Sequence, residues 1–290
     1  MIRFSCSSVS ETSEAEIVII GVPDESLSHA KRRGTSKAPD ILRNKFNESN
    51  YFYRNGNAIP VCPMSGNAFG RKIMDYGNIT REDVYRLISS IALNKKIPIV
   101  IGGDHSITSL ALRALGEVYG KMGLFYFDAH PDFVSSTTNY YGSVLTDSCN
   151  WIDFGKSMLI GTRSAEPEEL DNAQKSSLEI VTPIDIRETG LAKVAERIKS
   201  KHNNGVKYVS IDLDCLDPAF APGVSVPSPC GLSSLDLVYL VKLAISSGIV
   251  GIDIVEFSPD FDVNDVTANL VGRILLESIA SIGKNTPMTF

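Results

Sequence analysis

Short apolar runs alternate with longer segments of helical periodicity along most of the chain. The runs are nearly continuous, which is typical of strands that are buried on both faces of a parallel sheet. They predict strands at Glu16–Val22, Lys72–Tyr76, Ile97–Ile101, Met122–Phe127, Ser157–Gly161, Leu178–Val181, Val206–Ile211 and Ile249–Val255. Because strands alternate with helices, we expect an α/β fold of three layers, with a central, mostly parallel sheet flanked by helices.

Amphipathic spacing and capping signals predict the helices between these strands. Thr80 is a typical N-cap, and Glu82 and Asp83 follow it in the first turn. The segments Glu48–Gly70 and Pro131–Cys149 are expected to be irregular, and the second would lie at the mouth of a site. Because no repeat or change of composition divides the chain, we expect one domain over residues 1–290. The predicted helices are Ala38–Asn47, Thr80–Leu93, Ser106–Tyr119, Pro167–Ser176, Leu191–Lys201, Ser233–Ser247 and Val263–Ile282.

Composition narrows the class of protein and of partner. The chain is 43% hydrophobic and 21% charged, as ordinary soluble proteins are. Its net charge of −6 disfavours nucleic acid as a partner and favours a small cation. No apolar run approaches the roughly 18 residues of a membrane span, and no signal peptide is visible at the N-terminus. The five cysteines include no Cys-x-x-Cys pair, which favours reduced thiols in a cytoplasmic protein.

Carboxylate and imidazole side chains directly follow three of the predicted strands. In an extended chain, side chains at positions i, i+2 and i+4 point the same way. In open parallel sheets, moreover, sites lie outside the carboxyl ends of the strands. We therefore expect these side chains to converge in one pocket. They are Asp104, His105, Asp128, His130, Asp132, Asp212 and Asp214.

Charge indicates what such a pocket would bind. Crowding Asp128, Asp132, Asp212 and Asp214 together is unfavourable without cations. Two divalent ions about 3.5–4 Å apart would balance these carboxylates and lower the pKa of a bound water, giving a hydroxide nucleophile. Mostly oxygen ligands with some imidazole suit Mn²⁺. Each cluster alone also fits a surface loop, a turn or a cap, but three clusters after buried-type strands favour the metal site.

Three segments resemble the signatures of the ureohydrolases, the arginase/agmatinase family. They are Gly102–Ser106 (Gly-Gly-Asp-His-Ser), Asp128–Asp132 (Asp-Ala-His-Pro-Asp) and Ser210–Gly223, whose Asp-Pro-Ala-Phe-Ala-Pro-Gly run is most similar to the agmatinase branch. The resemblance implies an arginase-like fold and hydrolysis of a guanidino compound to urea and an amine, with agmatine as the expected substrate and putrescine as the amine. A related hydrolase of another guanidino, formimino or acyl-amine substrate, and a metal-binding protein without catalysis, remain alternatives.

The resemblance also implies roles for individual residues. Two Mn²⁺ ions per chain are expected, bridged by Asp128 and Asp212, in a homo-oligomer that is a trimer or a hexamer. Glu256 directly follows a predicted strand and matches the glutamate that binds the guanidinium. By resemblance, one ion would be held by His105, Asp128, Asp132 and Asp212, and the other by Asp128, His130, Asp212 and Asp214.

Two positions depart from the family pattern. Val134 stands where arginase has an asparagine that binds the α-amino acid end of arginine, which disfavours arginine as the substrate. The loop that usually carries a proton-shuttling histidine reads Asn-Tyr-Tyr-Gly-Ser at residues 139–143. Tyr141 is the nearest substitute and Asp132 is a possible relay, but a phenol with a usual pKa of about 10 is a poor acid–base group near neutral pH. We therefore expect slow hydrolysis with an alkaline optimum. His29 and His202 lie in polar surroundings and are expected to be solvated.

Overall fold

The computed structural model describes residues 2–64, 70–202, 205–246 and 248–283. Eight of its strands form one sheet in the order β4-β1-β5-β10-β9-β6-β7-β8, and every neighbouring pair is parallel. The three-layer α/β fold is confirmed, and the sheet is wholly rather than mostly parallel. The strands are β1 Ile17–Gly21, β4 Ile73–Asn78, β5 Ile97–Ile101, β6 Gly123–Phe127, β7 Met158–Ile160, β8 Glu179–Val181, β9 Lys207–Asp212 and β10 Ile249–Val255.

Helices cover both faces of the sheet. The hydrophobic core on one face includes residues of α1, α7, α8 and α9, and the core on the other includes residues of α2 to α5. The bounds are α1 Ala38–Ser49, α2 Arg81–Leu93, α3 Ile107–Tyr119, α4 Val144–Asp147, α5 Pro167–Lys175, α6 Pro183–Thr189, α7 Leu191–Ser200, α8 Ser234–Ile245 and α9 Val266–Ser281. Among the described residues, no helix combines the length and apolar character needed to cross a bilayer.

Strand β1 explains why the strands read as continuous apolar runs. Ile17 and Ile19 belong to one core, whereas Val18 and Ile20 belong to the other. Side chains alternate between the two faces of a strand, so a sheet covered on both faces requires an apolar residue at every position. Truncating such a side chain, as in Ile19→Ala, would leave a cavity and cost about 2–5 kcal/mol.

Three segments differ from the sequence-based expectations. The segment predicted to be irregular contains an antiparallel hairpin of β2 Tyr51–Arg54 and β3 Asn57–Pro60, whose largely exposed side chains give no buried pattern. The predicted loop Pro131–Cys149 contains the short helix α4. Helix α6 was not predicted, although Thr182 caps it reciprocally with Asp185. Residues 65–69 of the predicted irregular segment, and Ser247 of a predicted helix, lie outside the described residues.

Candidate active site

The four middle strands of the sheet bring the predicted clusters together. Strands β5, β10, β9 and β6 are neighbours, and Ile101, Ile254, Ile211 and Phe127 pair in one row across them. The carboxylate and imidazole side chains of the predicted clusters follow this row, at the carboxyl ends of the strands. The three predicted clusters therefore meet at one edge of the sheet, and Glu256, after β10, joins them.

His105 lies at the centre of the first ligand group. Its Nδ1 atom is 3.1 Å from a carboxylate oxygen of each of Asp128, Asp132 and Asp212. The imidazole is fully buried. Ligand atoms of His105, Asp128 and Asp132 lie close enough together to hold one metal ion.

A second ligand group lies beside the first and shares Asp128 with it. The Nδ1 atom of His130 is 3.0 Å from Asp214 Oδ2 and 3.5 Å from Asp128 Oδ1. Together the three residues could hold an ion. Asp128 directs one oxygen to each group, which is the arrangement expected of a bridging ligand. Asp212 instead directs Oδ2 to His105 and accepts the backbone N–H of Asp214 with Oδ1, at 2.8 Å.

Backbone N–H groups orient the carboxylates. Asp128 Oδ1 accepts the N–H of His130 at 2.6 Å, and Asp214 Oδ1 accepts the N–H of Ala129 at 3.1 Å. An aspartate that accepts the N–H two residues later forms an Asx-turn, as Asp128 and Asp212 both do. The spacing of acidic residues and histidine after each strand therefore has a local cause as well as a chemical one.

The shifted pKa values of the cluster indicate that its carboxylates would be stabilised by positive charge. Burial, and then the charges of Asp132 and Asp214, raise the pKa of Asp128 to about 6. Burial and neighbouring carboxylates also raise the pKa of Asp212 well above its usual value. For Asp214, burial raises the pKa, but the adjacent His130 outweighs it and the net pKa is lowered. Burial lowers the pKa of His105, yet its three carboxylate partners raise it well above the usual value.

A divalent metal centre fits these residues. Asp128 Oδ2 is buried and, within the described ranges, accepts no hydrogen bond, although His105 Nδ1 lies 3.1 Å from it. A buried charged oxygen without a donor costs more than the roughly 1–3 kcal/mol of a neutral group. A cation between the two groups would remove that cost, and carboxylate oxygens with imidazole nitrogens are a donor set for divalent ions.

A buried network beneath the cluster fixes the orientation of His105. The hydroxyl of Ser210 donates to Asp253 Oδ1 at 2.6 Å, and its oxygen lies 2.9 Å from His105 Nε2. The hydroxyls of Tyr208 and Thr108 donate to the other oxygen of Asp253, at 2.8 and 2.7 Å. The Ser210 hydroxyl donates its proton to Asp253, so the Ser210 oxygen accepts the Nε2–H of His105. The lone pair on His105 Nδ1 is then left for an ion. Sequence reasoning missed Asp253, although an aspartate inside the apolar strand β10 was a visible signal.

Glu256 reaches the cluster through an unusual backbone conformation. Its φ is 66°, and that of Asp132 is 49°, both in the left-handed region that non-glycine residues enter at a cost of about 1–3 kcal/mol. The Glu256 carboxylate is 2% exposed, accepts the N–H of His105 at 2.8 Å, and accepts the hydroxyl of Ser225. Burial, with a smaller contribution from the charge of Asp104, raises the pKa of Glu256 to about 8.

Comparison with known proteins identifies the family. A model of the arginase family matches residues 15–280. The chain belongs to this family. An agmatinase from Neisseria meningitidis serogroup C (strain 053442) is 34% identical over 182 residues, which cover 62% of this chain and 57% of that relative. The proclavaminate amidinohydrolase of Streptomyces clavuligerus is 34% identical over 186 residues, which cover 61% of this chain and 58% of that relative.

A solved structure extends the likeness to the whole fold. The agmatine ureohydrolase of Thermoplasma volcanium matches with a TM-score of 0.80 and 30% identity, over 97% of this chain and 94% of that one. The two curated relatives, by contrast, are each matched over less than two thirds of their own length. The arginase-like architecture expected from the sequence is thereby confirmed.

In this arginase-family chain, a cavity of about 300 Å³ opens above His130 and Asp132. Tyr140 and Tyr141 line it, and burial raises the pKa of both phenols, that of Tyr140 to about 12. Tyr141 therefore offers a neutral hydroxyl and not a base. The rest of the lining comes from Val134, Gly142, Ser164, Ala165, Glu166, Glu169 and Val226.

The two remaining histidines differ in their surroundings. His29 is exposed, as expected, but its ring stacks on Tyr140. His202 is half-buried, and its Nε2 atom is buried with no hydrogen-bond partner among the described residues, so the expectation that it is solvated was wrong. Burial lowers the pKa of His202.

Proposed function

We propose that this arginase-family chain hydrolyses agmatine to urea and putrescine, with two Mn²⁺ ions bound at the strand-end cluster. The observation that carries the proposal is the orphaned, buried Asp128 Oδ2 between two groups that could each hold an ion. The names of the Neisseria and Thermoplasma relatives support the substrate. The proclavaminate amidinohydrolase, at equal identity, supports a second candidate, which is the same reaction on a different guanidino compound.

The metal ligands are those that the sequence predicts. The ions would supply Lewis-acid polarisation of the substrate and an activated water. Oxygen donors with two imidazoles favour Mn²⁺ over metals that prefer thiolates. His105, Asp128, Asp132 and Asp212 would hold one ion, and Asp128, His130, Asp212 and Asp214 the other.

The residues around the cluster would bind a linear cation. Glu256 would accept N–H groups of the guanidinium, for which one carboxylate oxygen must exchange the Ser225 hydroxyl for the substrate. The rest of the substrate would lie in the cavity between Tyr140, Tyr141 and Glu166. A volume of about 300 Å³ suits a small ligand. Because Val134 lines the same cavity, a plain alkyl tail fits it better than an α-amino acid end does.

The chain must also supply a proton to the departing amine. Asp132 lines the cavity, where its carboxylate would take a proton from water and pass it to the leaving group, and the hydroxyl of Tyr126, which donates to Asp132 at 2.7 Å, orients that carboxylate. Tyr141 can donate a hydrogen bond to that amine. Because residues 139–143 contain no imidazole, turnover should be slower, by up to about 10²–10⁴-fold, than in an enzyme whose loop carries the proton-shuttling histidine. The raised pKa of Glu256, about 8, favours the alkaline optimum, because the carboxylate must be charged to bind a cation.

A urea assay over a panel of guanidino compounds tests the proposal. Protein loaded with Mn²⁺ should hold about two ions per chain and release urea fastest from agmatine. Glu256→Gln should keep its metal and lose most of the activity, while Glu188→Gln, at an exposed position in α6, should change neither. Absence of urea from every compound between neutral and strongly alkaline pH, with both ions bound, would favour a non-catalytic metal protein.

The oligomeric state is a separate proposal. The family resemblance supports a homo-oligomer, either a trimer or a hexamer. Sedimentation velocity on the metal-loaded protein measures the mass directly, and a monomer of 31.5 kDa at micromolar concentration would contradict this expectation.

A further inference from the structure

We propose that His29 is a positioning residue for the substrate's tail, because it fixes the two tyrosines that form one wall of the cavity. The inference rests on the proposed function and adds a specificity-determining residue to it. His29 comes from the loop after β1, which is remote in sequence from the wall that it contacts.

Three aromatic rings contact one another at the mouth of the cavity. His29 stacks on Tyr140, with centroids 5.3 Å apart and ring planes at 22°. Tyr141 presents its ring edge-on to His29 at 6.2 Å and to Tyr140 at 5.7 Å. We call His29, Tyr140 and Tyr141 the ring cluster. Each ring has two partners in it, so removal of one ring leaves the other two with only each other.

The loop that carries His29 packs against Gly103 and Asp104, next to the proposed ligand His105. The N–H of Tyr141 donates to Leu27 O at 3.3 Å, and the N–H of Leu27 donates to Asp104 Oδ2 at 3.2 Å. Earlier in the loop, Asp24 O accepts the N–H of Asp104 at 2.9 Å. A Cβ at Gly103 would lie 1.7 Å from that oxygen, so this approach requires glycine. Contacts of Leu27, two residues before His29, thus tie the loop both to Tyr141 in the wall and to Asp104, the residue before the proposed ligand His105.

The loop is also held on the other side of His29. The guanidinium of Arg33 donates to Ser28 O at 2.6 Å and to Glu25 O at 2.8 Å. The carboxylate of Glu25 in turn accepts the N–H of Gly34 at 2.7 Å. Because contacts on both sides hold the loop, the imidazole is presented to Tyr140 as part of a folded support and not as a free surface side chain.

The two tyrosines of the ring cluster lie where the alkyl tail of a bound substrate would pass. Tyr140 and Tyr141 line the cavity above Asp132, whereas the guanidinium would bind below, at Glu256 and the metal cluster. Burial raises the pKa of both phenols, and the charge of Asp132 contributes for both, whereas that of Glu256 contributes for Tyr141. An alkyl chain that leaves the guanidinium must therefore pass the two rings, and aromatic faces bind both methylene groups and cationic ends.

Substitution of His29 should raise KM and leave kcat nearly unchanged. His29→Ala removes one ring of the cluster, and we expect KM for agmatine to rise about 2–10-fold, as for loss of an aromatic pair. The kcat should stay within about twofold, and the metal content should be unchanged, because His29 is not a ligand. His29→Phe keeps the ring and should restore KM. For methylguanidine, which has no tail, the KM of all three proteins should be similar.

His202→Ala is the matched control, since it removes a histidine that precedes the amino end of β9, whereas the site lies at the carboxyl ends of the strands. It should leave both constants unchanged. The proposal is overturned if His29→Ala leaves KM for agmatine unchanged, or raises KM equally for methylguanidine. It is also overturned if His29→Ala and His29→Phe both lose kcat and added imidazole restores it, because His29 would then act through its proton.

A binding measurement separates this inference from the proposed function. If the wild type releases no urea from any guanidino compound, the proposed function fails, and calorimetric titration of agmatine into the metal-loaded proteins replaces KM. A Kd that rises in His29→Ala and recovers in His29→Phe supports the ring cluster. An equal Kd in all three proteins, or no binding by the wild type, overturns it.

Discussion

The floor and the wall of the cavity are built in different ways. The floor consists of buried side chains at or shortly after the carboxyl ends of strands, such as His105, Asp128 and Asp212, which are at most 3% exposed. The wall consists of the half-exposed rings of Tyr140 and Tyr141 from one loop, which the exposed ring of His29 contacts from another loop. On the proposed function, the floor would determine which reaction is possible, and the wall would determine which substrate tail is accepted. The two should therefore respond separately to substitution.

Loss of a floor carboxylate should have the largest effect. Asp128→Ala and Asp212→Ala should each impair both metal sites, because each aspartate is proposed to bridge the two ions. Activity should fall by more than the roughly 10–100-fold that is typical when a residue hydrogen-bonded to a metal ligand is replaced. His105→Ala should mainly weaken one site. Elemental analysis and the urea assay measure these effects, with exposed Asp171→Ala as the control. Full metal occupancy in Asp212→Ala would contradict a dinuclear floor.

Asp253→Asn tests the layer beneath the floor. The amide keeps the volume but removes the charge that accepts three hydroxyls, so the Ser210 proton is no longer held away from His105. Metal affinity should fall about 10–100-fold, as is typical for outer partners of a ligating histidine. KM for agmatine at saturating Mn²⁺ should change little, since the wall is intact. A change in KM with unchanged metal affinity would reverse the division between floor and wall.

Tyr141→His tests the wall as a source of protons. An imidazole titrates near neutral pH, whereas burial and the charge of Glu256 raise the pKa of the Tyr141 phenol. We expect kcat between pH 6 and 8 to rise by up to about tenfold, below the full range of about 10²–10⁴ for an aligned acid–base group. Metal content should not change. Tyr140→His is the matched control, and an equal gain in both variants would refute a specific role for position 141.

The smallest expected effect is a pH dependence of stability that belongs to the floor alone. Without metal, burial raises the pKa of Asp128 to about 6 and that of Glu256 to about 8. A raised pKa stabilises the folded protein fully below the unfolded value, and this contribution is lost as pH rises through the folded value. The raised pKa of His105 acts in the same direction, and the lowered pKa of Asp214 opposes it.

The metal-free protein should accordingly melt at a lower temperature at pH 8.5 than at pH 5.5. A change of about 1 kcal/mol moves Tm by roughly 2 °C in a protein of this size, so we expect a fall of a few degrees. Calorimetry with and without Mn²⁺ measures it, and bound metal should abolish it. The His29→Ala protein should show the same fall as the wild type, because the ring cluster does not contribute to it.

The floor was largely predictable from the sequence because its side chains are placed by local spacing along the chain. Asp128, His130 and Asp132 follow an apolar run at spacings of two, and that alternation alone places them on one side of the strand end. The order of the strands was not predictable, since β10 pairs with β5 although about 150 residues separate them. The role of Asp253 was hidden for the same reason, because its partners lie on β9 and α3.

The wall depends on contacts between loops, for which the sequence carries no periodic signal. The approach of His29 to Tyr140 depends on hydrogen bonds of Leu27 that link three separate segments. The β2–β3 hairpin was missed although Asn55 and Gly56, both at positive φ, form a two-residue turn that Asn-Gly favours, because its short, exposed strands show no alternation of buried and exposed residues.

The position of β10 bears on how the protein is made. In the described part of the chain it is the last strand to be synthesised, yet it lies between β5 and β9. Until Ile249–Val255 leaves the ribosome, the group β4-β1-β5 and the group β9-β6-β7-β8 have no strand to join them. Contacts between segments so distant in sequence form slowly. Until that strand emerges, the nascent chain therefore holds two partial sheets with open edges, and the proposed ligand group that needs His105 from the β5 side can be completed only after the gap has closed.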